Sequence, residues 1–271
     1  MSGGKRVGRD RPTSNVAQIV GDALRGMTEK RLFELVRAEP VPQHLAIIMD
    51  GNRRFARSHG LGIKDGHARG RDTLEALLNW CLELEIRILT VYALSTENLL
   101  RSSEELDGLM DLFDHALRDI ATDERVHRNR IRVRVIGNRT LLPPRVQEAV
   151  ALAEEATRGY DAYRYNVALG YGGRDEIVEA IRALAREVRA GTLEPEAIDS
   201  ERVARHLYTA DLPDPDLILR TSGEERISNF LLWQSAYSEL VFSDVLWPGL
   251  TRLEFLRAIR TFQQRRRRYG E

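Results

Sequence analysis

The chain reads as one α/β domain built on an open parallel sheet, and three observations predict it. Short apolar runs alternate with stretches of helical spacing along most of the sequence. Several runs are apolar nearly throughout, as in Ile86-Arg-Ile-Leu-Thr-Val-Tyr-Ala-Leu94, which fits strands buried on both faces. Polar clusters bearing Asp, Ser or Arg follow three of the runs, and an open sheet with right-handed crossovers binds its ligands at the carboxyl ends of its strands.

Residues 1–15 are rich in Gly, Arg and Ser and are expected to be disordered. Residues 16–38 carry helical spacing (Val16, Ile19, Val20, Ala23, Leu24, then Leu32, Phe33, Leu35, Val36), interrupted by Gly26 and ended by Pro40 and Pro42. Residues 1–40 therefore form an N-terminal extension, partly disordered or helical, ahead of a single domain over 41–271. Strands are expected at 45–49, 87–94, 131–136, 165–169, 216–220 and 239–243. Helices are expected at 68–84, 103–121, 144–157, 174–190, 200–207 and 251–268. No internal repeat and no linker follow residue 40.

The 271 residues suffice for a sizeable core. Lys+Arg and Asp+Glu both number 41, so a nucleic-acid binder working through global charge is excluded. The single cysteine, Cys81, lies among Leu77, Leu78 and Leu82 and reads as core filler, which rules out an internal disulfide or a cysteine zinc site. The histidines form no HxxxH or HExxH spacing. The N-terminus lacks the apolar core of a signal peptide and no run reaches the roughly 18 apolar residues of a membrane span, so a cytoplasmic protein is expected. There is no P-loop, no GxGxxG, no GxSxG and no DDxxD aspartate cluster.

Two stretches point to phosphate chemistry. Arg220-Thr-Ser-Gly-Glu-Glu-Arg-Ile-Ser228 sets two arginines, hydroxyls and backbone N–H groups directly after an apolar run. A guanidinium is a rigid fork of donors suited to phosphate oxygens, so the stretch reads as a diphosphate cradle. Leu45-Ala-Ile-Ile-Met-Asp-Gly-Asn-Arg-Arg54 repeats the plan with a carboxylate in front. Gly51 permits close backbone approach, and Arg53 and Arg54 at a helix start can join N–H groups in holding a second diphosphate. Asp50 beside an anion would repel it without a cation between them, which implies magnesium. An ordinary Asp-Gly turn with surface arginines is the other reading of that motif alone.

Weaker candidates surround these. His67, at the start of a helix, either donates to a phosphate oxygen or caps the helix. Tyr92-Ala-Leu-Ser-Thr-Glu-Asn-Leu-Leu-Arg101 ends a strand with a dense polar run, in which Ser95 or Thr96 also reads as a cap. Tyr171-Gly-Gly-Arg-Asp-Glu176 reads as a strand-to-helix turn whose acids suit the positive helix end, with Arg174 available to a carboxylate. Glu239 opens the last strand as a carboxylate able to reach the rim. The basic run Arg265–Arg268 meets the negative end of the last helix dipole or is a solvated tail.

Taken in order, these stretches resemble the cis-prenyltransferases, the undecaprenyl and dehydrodolichyl diphosphate synthase family. The matching segments are 44–54, Gly66-His-Ala-Arg-Gly70, Tyr92–Asn98, Tyr171–Arg174, 219–234 and Glu239–Pro248. The resemblance covers about residues 41–270 and is nearest in character to archaeal or eukaryotic members. It implies a six-stranded, mainly parallel sheet with a hydrophobic tunnel for the growing chain, a homodimer, magnesium, and peripheral membrane association for product release. By that resemblance, Asp50 binds magnesium and acts on the diphosphates. Gly51, Asn52, Arg53, Arg54, Phe55 and His67 hold the allylic diphosphate, while Arg220, Arg226, Ile227 and Ser228 hold isopentenyl diphosphate. Ser95, Thr96, Glu97, Asn98 and Arg101 line the reaction centre. Glu239 becomes a metal ligand from the partner subunit, and Arg268 and Gly270 match the RxG element that reaches the partner's site.

The implied reaction is condensation of isopentenyl diphosphate onto a farnesyl or geranylgeranyl starter. Asn98 is the family's proton-removing residue, but a neutral amide is a poor base, so it is read as positioning while a phosphate oxygen takes the proton. Phe55 stands where Trp is usual and Ile63 where a basic residue is common, which removes one diphosphate contact. Leu94 and Leu99 replace Phe and Trp at the tunnel mouth. Ala93 favours a medium or long product, with Tyr163 and Tyr165 near the tunnel floor. The alternatives are a non-catalytic partner subunit, which would lose the Asp or the arginine cradle, and an unrelated phosphate-binding α/β enzyme.

Overall fold

The structure is a computed structural model that describes residues 28–266. The expected disorder over 1–15, the start of the first helical stretch, and Arg268 and Gly270 lie outside the described residues.

Residues 28–37 are helical (α1) and stop ahead of Pro40. Helix α9 (Arg252–Arg266) seats them: Gln263, 3% exposed, donates its side-chain amide to the carbonyls of Val36 at 2.8 Å and Glu39 at 3.2 Å. A buried amide placed this way satisfies carbonyls that a helix end leaves free.

Six strands follow: β1 (His44–Ile48), β2 (Ile88–Ser95), β3 (Ile131–Ile136), β4 (Tyr163–Tyr171), β5 (Leu217–Arg220) and β6 (Glu239–Phe242). They form one sheet in the order β3-β4-β2-β1-β5-β6, and every pairing is parallel. The expected "mainly parallel" sheet is wholly parallel. On one face Leu45, Ile47, Val91, Val133, Val167 and Leu219 join the main core with Leu77, Met110, Val150 and Phe255. On the other, Ala46, Ile48, Ala168 and Ile218 meet Tyr171, Phe230 and Leu231. The edge strand β3 is blunted: Val133 N–H donates to Thr157 Oγ1 at 3.1 Å and Val135 N–H to Glu154 Oε1 at 2.9 Å, leaving those donors unable to recruit another strand.

The helices are α2 (Asn52–Ser58), α3 (Ile63–Glu83), α4 (Ser103–Ile120), α5 (Glu124–Arg128), α6 (Pro144–Thr157), α7 (Gly173–Arg189) and α8 (Ser200–Ala204). The expected boundaries hold closely for α4, α6 and α7. Helix α3 begins five residues earlier than expected, which puts His67 inside its second turn rather than at its start. Gly66 and Gly70 lie within it because α2 packs against them: a Cβ at Gly70 would sit 2.3 Å from Asn52 Oδ1. The expected helix over 200–207 shortens to α8, and α5 is an additional turn, capped by Asp123 accepting from Arg125 N–H at 2.8 Å.

Candidate functional site

In the sheet order, β1 and β5 are neighbours whose onward connections leave in opposite directions, to β2 on one side and β6 on the other. Such a switch point opens a crevice at the carboxyl ends of the two strands. Asp50 follows β1, and Arg220 ends β5 beside Ile48. Sequence reading grouped these residues because each follows a strand; the topology makes them neighbours.

Asp50 Oδ2 accepts from Arg220 Nη2 at 2.7 Å, and Oδ1 lies 3.4 Å from Arg54 Nη2. Its backbone is locked from both sides, the carbonyl accepting from Thr221 Oγ1 at 2.7 Å and from Trp247 N–H at 3.0 Å. Gly51 leaves with φ +117°, where a side chain would strain, and a Cβ there would press on Leu246 at 3.0 Å. Burial works against the Asp50 charge, but hydrogen bonds from Arg220 and Ser222 and the charges of Arg220 and Arg54 outweigh it and hold the carboxyl below its ordinary range.

The two arginines differ. Arg220 is only 4% exposed. Its Nη1 donates to Arg226 O at 2.5 Å and Ser228 Oγ at 2.6 Å, so most of its fork shapes the 221–228 loop, with Nε left unpartnered. Arg54 is 44% exposed and leans on Ser222 Oγ at 2.6 Å. Arg226 points outward, paired with Glu224 and absent from the cavity wall. Ile227 packs against the second core cluster, so it serves the loop from below.

Glu105 on α4, which sequence reading did not single out, ties several site candidates together. Its side chain is 7% exposed and gathers Arg101 at 2.9 Å, His67 at 3.5 Å and Arg53 at 3.7 Å. Three phosphate-binding candidates from separate segments thus share one carboxylate. Burial lowers the His67 pKa, Glu105 pulls it back up, and the nearby Arg101 and Arg53 add to the lowering; the net shift is downward, so the ring is neutral at pH 7. The signal was hidden because an acid in the first turn of a helix is ordinary.

At the end of β2, Ser95 Oγ accepts from Asn98 N–H at 3.1 Å, inside the short turn Glu97–Leu100. The expected cap on the following helix is not formed, since α4 has Ser102 at its N-cap, while Ser95, Glu97, Asn98 and Arg101 line the cavity. Thr96 turns away to Asp175 Oδ2 at 3.1 Å. Phe55 stacks on His59 with ring centroids 4.0 Å apart instead of entering the cavity wall.

A cavity of about 840 Å³ opens at this rim. Its mouth carries Asp50, Asn52, Arg53, Arg54, Asn98 and Arg220; its interior is apolar, with Leu74, Val91, Leu109, Phe113, Leu117, Ile120 and Val167. Along α4 the lining runs from Leu109 to Ile120, roughly 17 Å at 1.5 Å rise per residue. Ala93 and Tyr165 line it; Tyr163 does not, and instead carries Arg87 over its ring.

Glu239 requires a correction. It pairs with Leu217 at the amino end of β5, three rungs and roughly 10 Å from the rim. Its carboxylate lies 3.4 Å from Arg265 Nη1. It does not reach the rim of its own chain, so only contact with another copy would bring it to a metal. Among the described residues no three His, Cys, Asp or Glu side chains cluster to hold a metal. Asp50, a carboxylate at the cavity mouth, nevertheless fits magnesium, which keeps water and takes substrate phosphates alongside one or two carboxylates. Among the described residues, no helix is long and apolar enough to cross a membrane.

Residues 48–270 match the Prenyltransf family model, described as undecaprenyl diphosphate synthase. A Thermoplasma acidophilum protein is 50% identical over 256 residues, covering 94% of this chain and 99% of its own; it is named tritrans,polycis-undecaprenyl-diphosphate synthase (geranylgeranyl-diphosphate specific). A Methanopyrus kandleri protein of the same name is 53% identical, covering 90% of both chains. The crystal structure of lavandulyl diphosphate synthase from Lavandula x intermedia with dimethylallyl diphosphate superposes with TM-score 0.79 at 36% identity, covering 82% of this chain and 95% of that one.

Proposed function

The chain belongs to the undecaprenyl diphosphate synthase family, and from that membership we propose that it condenses isopentenyl diphosphate repeatedly onto geranylgeranyl diphosphate, giving a long polycis polyprenyl diphosphate. The carrying observation is the joining of a cationic rim around Asp50 to an apolar cavity of about 840 Å³. A diphosphate ester with a long hydrocarbon tail needs both, side by side. The starter follows the names of the archaeal relatives, which also favour an eleven-unit product.

Arg53 and Arg54 neutralise the allylic diphosphate at the mouth, and the neutral His67 donates to a phosphate oxygen without adding charge. Exposed Arg226 and Ser228 take isopentenyl diphosphate across the crevice, while Arg220 holds their loop in place. As the allylic C1–O bond breaks, the terminal π pair of isopentenyl diphosphate forms the new bond to C1. That leaves C3 of the isopentenyl unit electron-deficient; its C2–H bond then breaks, the bond's electron pair becomes the cis C2=C3 double bond, and a phosphate oxygen accepts the proton. Asn98 orients the acceptor at the lip. Bound magnesium, held by Asp50 and diphosphate oxygens, would supply charge neutralisation for the departing diphosphate.

A homodimer belongs to this reading, because Glu239 serves a metal only in a partner's site. Peripheral contact with a membrane for product release also belongs to it. A non-catalytic subunit is disfavoured because Asp50, Arg220, Arg226 and Ser228 are all retained. The test is incorporation of radiolabelled isopentenyl diphosphate into butanol-extractable product by the purified protein alone, with geranylgeranyl diphosphate and magnesium. Incorporation lost to EDTA and restored by magnesium is expected; none under any metal would overturn the proposal.

A further inference from the structure

Asn229 lies one residue beyond Ser228, and the two occupy the left-handed region in succession, with φ 48° for Ser228 and 64° for Asn229. Asparagine tolerates that conformation better than most residues, but a consecutive pair costs energy and needs contacts to hold it. The contacts are there. Asn229 O accepts from Gly173 N–H at 2.7 Å and Oδ1 from Arg174 N–H at 2.9 Å. These cap α7 from another segment, since its own N-cap residue, Gly172, has no side chain to do so. Asn229 Nδ2 donates to Glu97 Oε1 at 2.9 Å. Every polar side-chain atom of Asn229 is committed.

Glu97 immediately precedes Asn98, and Ser228 immediately precedes Asn229. Ser228 Oγ accepts from Arg220, which holds Asp50. From Ser228 a path of hydrogen bonds and peptide links runs Ser228–Asn229–Glu97–Asn98, on to Arg101, whose N–H donates to Asn98 O at 3.2 Å, and through Glu105 to His67 and Arg53, from the proposed isopentenyl subsite around to the allylic one. Burial opposes the charge on Glu97, yet hydrogen bonds from its own backbone, Asn229, Ser95 and Thr96 lower its pKa, so it accepts as a carboxylate at neutral pH.

We propose that Asn229 is a positioning residue that couples the two diphosphate subsites through its hydrogen bond to Glu97. The proposal rests on the functional reading above. A diphosphate binding at Ser228 accepts the hydroxyl hydrogen while Ser228 Oγ still accepts from Arg220, and it draws both groups toward its own charge. The resulting shift of the 228–229 backbone reaches Glu97, and with it the lip that carries Asn98. Coupling of this kind is reciprocal: each ligand changes the affinity of the other by the same factor.

The test is calorimetric titration of the full chain, with magnesium, using isopentenyl diphosphate and geranylgeranyl thiolodiphosphate, whose C1–S bond resists ionisation. In the wild type, each ligand should shift the dissociation constant of the other by about fivefold or more. Asn229→Asp keeps both caps of α7 but turns the donor into an acceptor facing a carboxylate, and the shift should vanish. Glu97→Gln alone should retain it. Asn229→Asp with Glu97→Gln reverses donor and acceptor and should restore it, a rescue that a capping role alone would not produce. Should Asn229→Asp fold poorly, Glu97→Ala, which leaves the caps intact, should also abolish the shift. An unchanged shift in Asn229→Asp or Glu97→Ala, or no shift in the wild type, overturns the proposal while leaving the function standing. A wild type that binds neither ligand overturns both.

Discussion

Asp50 is flanked by two arginines of unequal burial, and the difference separates their duties. Arg220 is structural cement for the crevice, and Arg54, paired with Asp50, Glu224 and Ser222 but exposed, can turn to meet a ligand. Asp50→Asn keeps an acceptor for Arg220 but removes the charge. Turnover should fall by at least about 10²-fold, on the scale of losing one transition-state contact, with the circular dichroism melt nearly unchanged; near-normal turnover would contradict the role. Glu105 acts on three ligand-binding candidates at once. Glu105→Gln removes the charge that assembles them, and the loss of charge-assisted hydrogen bonds should raise KM for the allylic diphosphate about tenfold with a smaller change in kcat. In the same variant, His67 should titrate at lower pH still when followed by NMR, because Glu105 is what opposes the effect of burial. Asp50, Arg54 and Arg220 were legible in the sequence because Asp and Arg clusters directly after buried strands have few structural excuses. Glu105 and Asn229 were not: an acid in a first turn and an asparagine in a loop are ordinary until tertiary contacts show what they hold.

The elements show a second limit of the same kind. Strand and helix positions follow from apolar periodicity, but the expected start of α3 at residue 68 leaves Gly66 outside a helix that in fact begins at Ile63; the approach of α2 explains why the helix carries a glycine there. The irregularity in β2, where the pairing shifts between Tyr92, Leu94 and Ser95 against β4, was likewise hidden in an unbroken apolar run. Such bulges re-aim side chains beside functional sites, and this one falls at Ala93 in the cavity wall. At the other end of β1, His44 is buried, with Nδ1 2.7 Å from Pro213 O and Nε2 2.8 Å from Thr90 Oγ1. Burial pushes its pKa from 6.5 to about 4, against the pull of the Pro213 hydrogen bond and Asp216. The unfolded chain therefore takes up this proton first as pH falls. Its stabilising contribution is whole above about pH 6.5 and is lost on descent through about 4, worth about 3 kcal/mol. Denaturant melts at pH 7.5 and 4.5 should show that loss, and His44→Gln should reduce it. Tyr165 is the deepest cavity-lining residue on β4; Tyr165→Ala should lengthen the product by mass spectrometry, and an unchanged distribution would place the limit elsewhere.

At the scale of the molecule, the wholly parallel sheet decides where chemistry happens. Its order sets β1 against β5, so a carboxylate and an arginine about 170 positions apart meet at 2.7 Å without any local sequence signal of their pairing. The same sheet floors an apolar cavity that α3 and α4 roof, joining the charged rim to a space for hydrocarbon. The fold class and the grouping of polar clusters at one rim could be read from the sequence. The far-end position of Glu239 also follows from its opening a strand of a parallel sheet, and the structure confirms that its own rim lies out of its reach. The central claim is that rim and cavity act together to build a chain from two diphosphates. Mass spectrometry of the products made by the purified protein from isopentenyl diphosphate, with farnesyl and geranylgeranyl diphosphate as competing starters, tests it most directly. The account requires a long polyprenyl diphosphate grown mainly from the geranylgeranyl starter. Release of phosphate or diphosphate with no elongated product from either starter would contradict it.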